Sequence, residues 1–251
     1  MAYPEFVKYE RIPHLWEIPE LLDRDVEVYE KLDGGNAQIR KYKERVLAGN
    51  RSKFLTDRNK RFPWFQVFLK WALGNYCFYN LSENEIIFGE WLSKHTLDYF
   101  PEKMNRFYFI DLFDMNSQRF MPYQSAVRRL EELEIEEVEF LSLLFKGRTN
   151  MNHLEQLVRR SDYREGRAEG LVIKDYNSQR FAKLWASSLD RKKRTLSDKD
   201  VNRVVMSMIE SGVKITPEKI VEEIFTDFSR QRILQTRSAV EKAVNNYLSF
   251  M

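Results

Sequence analysis

A chain of 251 residues, 43% hydrophobic and 14% aromatic, is long and apolar enough for one large domain, or a medium and a small one, around a real core. No run of apolar residues is long enough to span a membrane, and the opening residues lack a signal-peptide core. The lone cysteine, Cys77, sits among aromatics where an inert buried thiol is expected, and it excludes an internal disulfide or a cysteine-based zinc site. These features predict a soluble intracellular protein whose metal, if it uses one, is held by oxygen ligands; the net charge of +3 alone excludes no partner.

Phe6-Val7-Lys8-Tyr9 begins a short apolar entry segment that runs through Ile12-Pro13-His14-Leu15 to an acidic turn at Asp23-Arg24-Asp25. Val26 to Tyr29 reads as the first strand, and Gln38 to Tyr42 is expected to pair with it as a hairpin across the glycine turn. Arg45 to Ala48 makes a third strand, closed by Gly49-Asn50-Arg51-Ser52. The spacing of Phe65, Phe68, Leu69 and Ala72 predicts a helix over 63–73, ended by Gly74-Asn75.

Glu85 to Trp91 and Arg106 to Phe113 are β-rich, each with a carboxylate at or near its end. Tyr123 to Leu133 reads as a helix, and the acidic run Glu131 to Glu139 spans its end and the next strand. Asn150 or Asn152 caps a helix through Leu154, Leu157 and Val158. Arg167 to Lys174 is a strand entered through glycine, and Gln179 to Trp185 is a further one. Strands and helices alternate without a βαβ repeat, which predicts a mostly antiparallel α+β domain over residues 1–188.

Residues 189–251 read as a small helical domain. Val201, Val204, Val205, Met208 and Ile209 form an apolar stripe between a Ser197 cap and Gly212. Thr216-Pro217-Glu218 starts a second helix through Ile220, Val221 and Ile224, and a third runs from about Ser229 to Leu248. From Arg191 to Met251 there are 12 Lys/Arg and 8 Asp/Glu, so this segment carries +4 and the remainder −1. The surplus is densest at Arg191-Lys192-Lys193-Arg194, where a solvated face and a phosphate-backbone contact both remain open.

Glu30-Lys31-Leu32-Asp33-Gly34-Gly35-Asn36 concentrates the chemistry. A lysine at a strand end, followed at once by a carboxylate and two glycines, is either a candidate nucleophile or a surface lysine beside a turn. The rest of the chain weighs on the first. Lys31-Leu32-Asp33-Gly34, Arg51, Phe88-Gly89-Glu90, Glu169-Gly170-Leu171-Val172-Ile173-Lys174 and Ala182-Lys183-Leu184 occur in an order that resembles the covalent nucleotidyltransferase superfamily of ATP-dependent ligases and capping enzymes. Glu30-Lys31-x-x-Gly34-x-Asn36 and the opening Phe6-x-Lys8-Tyr9 are similar to the nick-sealing RNA ligases of phage and of kinetoplastid editing, more than to DNA ligases.

The resemblance covers residues 1–188 and implies an adenylation domain in which Lys31 attacks the α-phosphorus of ATP. It implies that Lys174 and Lys183 depress the pKa of that amine and neutralise the α-phosphate, and that Arg51, 20 residues beyond Lys31, contacts phosphate. Glu90 and Glu169 are implied as the carboxylates that bind ribose or support Mg²⁺ or Mn²⁺, with Gly89 and Gly170 allowing close approach. Glu30, Asp33, Gly34 and Asn36 fall in the nucleotide-binding motif, with Asn36 near phosphate or a metal-bound water.

Adenine is expected between Val172 and the strand around residue 110, where Ile110 stands in place of the family's usual aromatic. Either Ile110 packs the base, or Phe109 or Phe113 moves in to stack. Trp185 departs from the family's second lysine, and Asp33 is closer to the DNA-ligase form than the histidine of many RNA ligases.

The resulting expectation is an ATP-dependent RNA ligase joining 5′-phosphate and 3′-hydroxyl ends, with RNA favoured over DNA as partner and no membrane. A small DNA ligase, a capping guanylyltransferase, a non-catalytic nucleic-acid-binding module and an adenylyltransferase with another acceptor are its rivals. Helix rather than closely spaced strand after residue 195 counts against the OB-fold of DNA ligases and capping enzymes.

Overall fold

The computed structural model describes residues 3–56, 63–93, 97–186, 201–202, 204–206, 208, 215–229 and 237–248. They fall into two compact units, one of residues 1–13 and 20–187, the other of residues 14–19 and 188–251.

The larger unit is α+β and built on two sheets. Strands β1 (Val26–Lys31), β8 (Leu143–Gly147), β9 (Gly170–Asp175) and β10 (Arg180–Trp185) make a four-stranded antiparallel sheet in the order β10-β9-β1-β8. Strands β2 (Gly35–Tyr42), β3 (Arg45–Asn50), β4 (Glu85–Leu92), β5 (Arg106–Asp114) and β6 (Arg119–Phe120) run β3-β2-β4-β5-β6, and β7 (Glu139–Phe140) adds a parallel pairing on β5.

The expected hairpin between the first two strands is corrected here. β1 pairs with β8 and β9, whereas β2 pairs with β3 and β4, so the chain changes sheets across Leu32-Asp33-Gly34. Every residue of β1 except Lys31 is buried, as suits a strand flanked on both edges, and its partners come from more than a hundred residues downstream. The crossing backbone is satisfied by side chains instead of a turn: Asp33 N–H donates to the Tyr99 hydroxyl at 2.6 Å and Gly34 N–H to Glu90 Oε1 at 3.1 Å.

Of the stripe its spacing predicts, helix α1 (Pro63–Gly74) buries Phe68, Leu69 and Ala72 in a core with Ile39, Ile87, Trp91 and Phe107, and Phe65 is half-buried against it. Helix α2 (Tyr123–Glu132) buries Tyr123, Ala126 and Leu130 in the same core. Asn150, not Asn152, caps α3 (Met151–Leu157) by accepting the His153 N–H at 3.0 Å. Cys77 is half-buried, and burial pushes its thiol up, as suits an inert side chain.

In the smaller unit, helices α4 (Pro217–Ser229) and α5 (Arg237–Leu248) share an apolar cluster of Val201, Val204, Val205, Met208, Ile220, Val221, Ile224, Val240 and Val244. The Arg191–Arg194 cluster, the Ser197 cap and the Gly212 stop lie outside the described residues. Among the described residues, no helix is long and apolar enough to cross a membrane.

Candidate active site

Lys31 ends β1 on the sheet face it shares with Tyr29. Register across the four-stranded sheet sets Lys31 opposite Gly170 and Gly170 opposite Trp185, so the central position of that row carries no side chain. The Lys31 ammonium therefore stands over the Trp185 ring, 4.9 Å from its centroid, and donates to Glu169 Oε2 at 2.7 Å and to the Leu32 carbonyl at 3.2 Å. The Lys183 ammonium approaches the same indole at 5.8 Å.

From the other sheet come Asn36 and Glu90, directly opposed across β2 and β4. Glu90 is pushed up to about 7, first by burial and also by the charge of Glu169; Lys31 and the Gly34 N–H pull the other way. Asn36 keeps its shielded Oδ1 without a hydrogen-bond partner among the described residues. Asn50 Oδ1 accepts the Ser52 and Lys53 N–H groups at 2.8 and 3.0 Å, an Asx turn that presents Arg51.

These groups surround a cavity of about 390 Å³, lined among others by Lys31, Gly34, Asn36, Arg51, Glu90, Ile110, Val172, Lys174 and Lys183. Its position, between two sheets and next to the crossing segment, makes it the natural pocket for a small ligand. Glu169 joins it through Lys31.

Three expected nucleotide contacts, Phe109, Asp33 and Glu169, are not among the described lining residues. Phe109 is fully buried, packed on Tyr123 and Phe140 at 5.2 and 5.8 Å, and does not line the cavity. A bulge explains this: Phe88 pairs with Asp111 and Gly89 with Phe109, so Ile110 is the extra residue and it lines the cavity instead. Asp33 is not among the lining residues. Glu30 lines the cavity, but its oxygens accept the Ser161 hydroxyl at 2.5 Å and the Asp162 N–H at 3.2 Å; burial pushes it up to about 7.

Lys174 is also redirected. Its ammonium donates to the Ile110 carbonyl at 2.9 Å, Asp111 Oδ1 at 2.8 Å and the Tyr176 hydroxyl at 3.2 Å, which occupies all three protons. Asp111, fully buried, also accepts from Tyr9 at 2.6 Å and Tyr176 at 2.7 Å. Burial lowers the Lys174 pKa, and the Asp111 charge opposes that shift. The pair ties the two sheets together beneath the cavity.

The close approaches expected at the glycines are made by the protein itself. A Cβ at Gly89 would meet the Phe107 ring and the Tyr108 carbonyl; one at Gly170 would meet the Leu184 carbonyl. Tyr9 stands in the opening Phe6-x-Lys8-Tyr9, but nothing in the sequence marks its bond to Asp111, and Asp111, Tyr99 and Ser161 are not among the expected site residues. Asp111 carried a signal as a carboxylate on a β-rich run; Tyr99 and Ser161 lie in irregular segments with no periodicity to mark them.

The RNA ligase family model matches residues 24–186. The chain belongs to the RNA ligase family. Solved structures of Naegleria gruberi RNA ligase share the fold of this RNA ligase family member. An unliganded mutant matches with a TM-score of 0.57 at 18% identity, covering 74% of this chain and 58% of that one. A mutant solved with ATP and manganese gives 0.57 at 15% identity with the same coverage, and one with AMP and manganese gives 0.56 at 18%. The chain thus spans 58% of the length of those solved ligase chains. No curated protein matches it.

Proposed function

We propose that the chain is an ATP-dependent RNA ligase that adenylylates itself on Lys31, passes AMP to a 5′-phosphate end and joins that end to a 3′-hydroxyl. The observation that carries this reading is the meeting of Lys31, Glu90, Arg51 and Lys183, from separate segments, around one cavity, with Glu169 bonded to Lys31.

In the first step the Lys31 amine attacks the α-phosphorus. The N–P bond forms, the bond to the β-phosphate oxygen breaks, and pyrophosphate leaves with the electron pair. Glu169, 2.7 Å from the ammonium, accepts the proton that Lys31 must lose. Arg51 and Lys183 balance the charge on the phosphates. Ile110 and Val172 pack the base, and Asn36 offers its shielded amide oxygen. An oxygen of the RNA 5′-phosphate then attacks the AMP phosphorus, breaking the N–P bond and restoring Lys31. Attack of the 3′-hydroxyl on the activated 5′-phosphate expels AMP.

The Naegleria ligase structures with ATP, AMP and manganese motivate a divalent cofactor here. Glu90 and Glu169 would hold it: the charge of Glu169 raises the cost of ionising Glu90, which a cation would offset. Among the described residues no three acidic, His or Cys side chains cluster, so the two glutamates would leave the rest of the shell to ligands from outside the chain, as suits Mg²⁺. When bound, the ion supplies neutralising charge to the phosphates.

The test is incubation with α-labelled ATP, and separately α-labelled GTP, with Mg²⁺, followed by denaturation. Label from ATP that Lys31→Ala abolishes is expected. Label from GTP alone moves the protein to the capping class, and no label across metals and pH overturns the reading. Sealing of nicked RNA against nicked DNA then separates the RNA ligase from a DNA ligase, with a steep loss at higher salt if the strand backbone is held by cations.

A further inference from the structure

A second cavity, of about 440 Å³, opens on the same face of the larger sheet as the active-site cavity. Residues 36, 38 and 40 of β2 point to that face: Asn36 lines the first cavity and Arg40 the second. The N-terminal segment forms the wall between them. Tyr9 lines the first and packs its ring on Phe88 at 5.0 Å, while Glu5 to Lys8 line the second. Gln38, fully buried, fixes this wall by donating to the Val7 carbonyl at 3.1 Å.

The second cavity has an apolar lining, with Phe88, Phe113, Met115 and Phe120 among its residues, and one buried charge, Arg40, which is 6% exposed. The guanidinium makes one hydrogen bond among the described residues, from Nη1 to the Glu5 carbonyl at 3.1 Å. Its Nε is shielded from solvent and has no hydrogen-bond partner among the described residues; burial lowers the guanidinium's pKa, and the charge of Glu83, which makes no salt bridge with it among those residues, opposes that only in part. Arg40 lines the apolar cavity, and the burial of its charge, which Glu83 offsets only in part, is costly unless an anion completes it.

The rim selects the kind of anion. Glu5 and Glu10 are exposed beside the opening, with Lys8 the one lining cation besides Arg40, so a polyanion such as a nucleic acid strand meets two carboxylates there. A single small anion with an apolar body avoids that repulsion.

We infer that this cavity binds an organic monocarboxylate, its carboxylate on the free side of the Arg40 guanidinium and its ring or chain against Phe88, Phe113 and Phe120. The planar fork of arginine suits two carboxylate oxygens, and the surrounding phenylalanines suit a ring. This site is distinct from the proposed ligase chemistry and does not depend on it.

Calorimetric titration with 3-phenylpropionate and with 3-phenylpropanol tests it. The acid is expected to bind at least about tenfold more tightly than the alcohol, the ratio a charge-assisted hydrogen bond supplies. Arg40→Gln should remove that preference, and Met115→Trp, which fills the cavity from its wall, should abolish binding of both with the melting temperature held. Equal affinities, a preference that survives Arg40→Gln, binding unchanged by Met115→Trp, or no binding at millimolar acid each overturn the assignment. Binding lost in Lys31→Ala instead would put the acid in the active-site cavity and overturn it as well.

Discussion

The Lys31 ammonium rests 2.7 Å from Glu169 Oε2, so the proposed nucleophile is held as half of an ion pair by the residue that leads into β9. An ammonium has no lone pair for attack, and the carboxylate that stabilises it is also placed to take its proton. Glu169→Gln keeps the shape and removes the base. Formation of the lysyl-adenylate is expected to slow about a hundredfold, read in a single turnover with labelled ATP. A change under threefold would remove Glu169 as the proton acceptor.

Lys174 and Asp111 predict a large effect on stability. Lys174→Met leaves the fully buried Asp111 without its cation and is expected to cost about 3–5 kcal/mol in urea unfolding. Adding Asp111→Asn removes the stranded charge while keeping an acceptor for Tyr9 and Tyr176, and should recover more than half of that loss. No recovery would mean that the lysine acts through packing alone.

Glu90 gives a pH dependence of defined sign. Its carboxyl is raised from the ordinary 4.5 to about 7, so the folded chain binds this proton more tightly than the unfolded one. Its contribution to stability is full below about 4.5 and is lost as pH climbs through about 7. Glu90→Gln should flatten the stability profile over that interval and leave the variant more stable than its parent above it, as melting temperatures across pH would show. Glu30, raised to a similar value, keeps some slope in the variant.

Gly170→Ala tests the close strand contact beneath Lys31. The added methyl runs into the Leu184 carbonyl, and the cost expected is about 1–3 kcal/mol. Because Trp185 is paired with this glycine, the indole under Lys31 should shift too, visible as a change in tryptophan fluorescence. An unchanged spectrum and stability would show that the two strands separate without consequence.

Much of the candidate site was legible through the family resemblance, which ties particular residue types to a fixed order: Lys31, Asn36, Arg51, Glu90, Val172 and Lys183 all reach one cavity. The alternation of the strands and the stripe of α1 followed from local periodicity. What local pattern could not carry was partnership at a distance. Val28 pairs with Phe145 and Ile173, and nothing near Val28 says so; a glycine turn beside two strand-like runs pointed to a hairpin that does not form. The bulge that brings Ile110 rather than Phe109 to the cavity is a property of the β4–β5 pairing, invisible in either strand alone. Lys174 shows a further limit: its motif position suggested a phosphate contact, while the burial that binds it to Asp111 emerges only when both sheets are assembled.

The crossing at Leu32-Asp33-Gly34 puts Lys31 at the last position of one sheet and Gly35 at the first of the other. Glu169 travels with the first sheet and Glu90 with the second, tethered to each other through this short stretch of backbone. Any change in the angle between the sheets is therefore converted into a change in the spacing of the two carboxylates about the amine. The short crossing thus sets how far apart the two carboxylates stand about the amine, and the buried Lys174–Asp111 pair between the same two sheets holds that spacing.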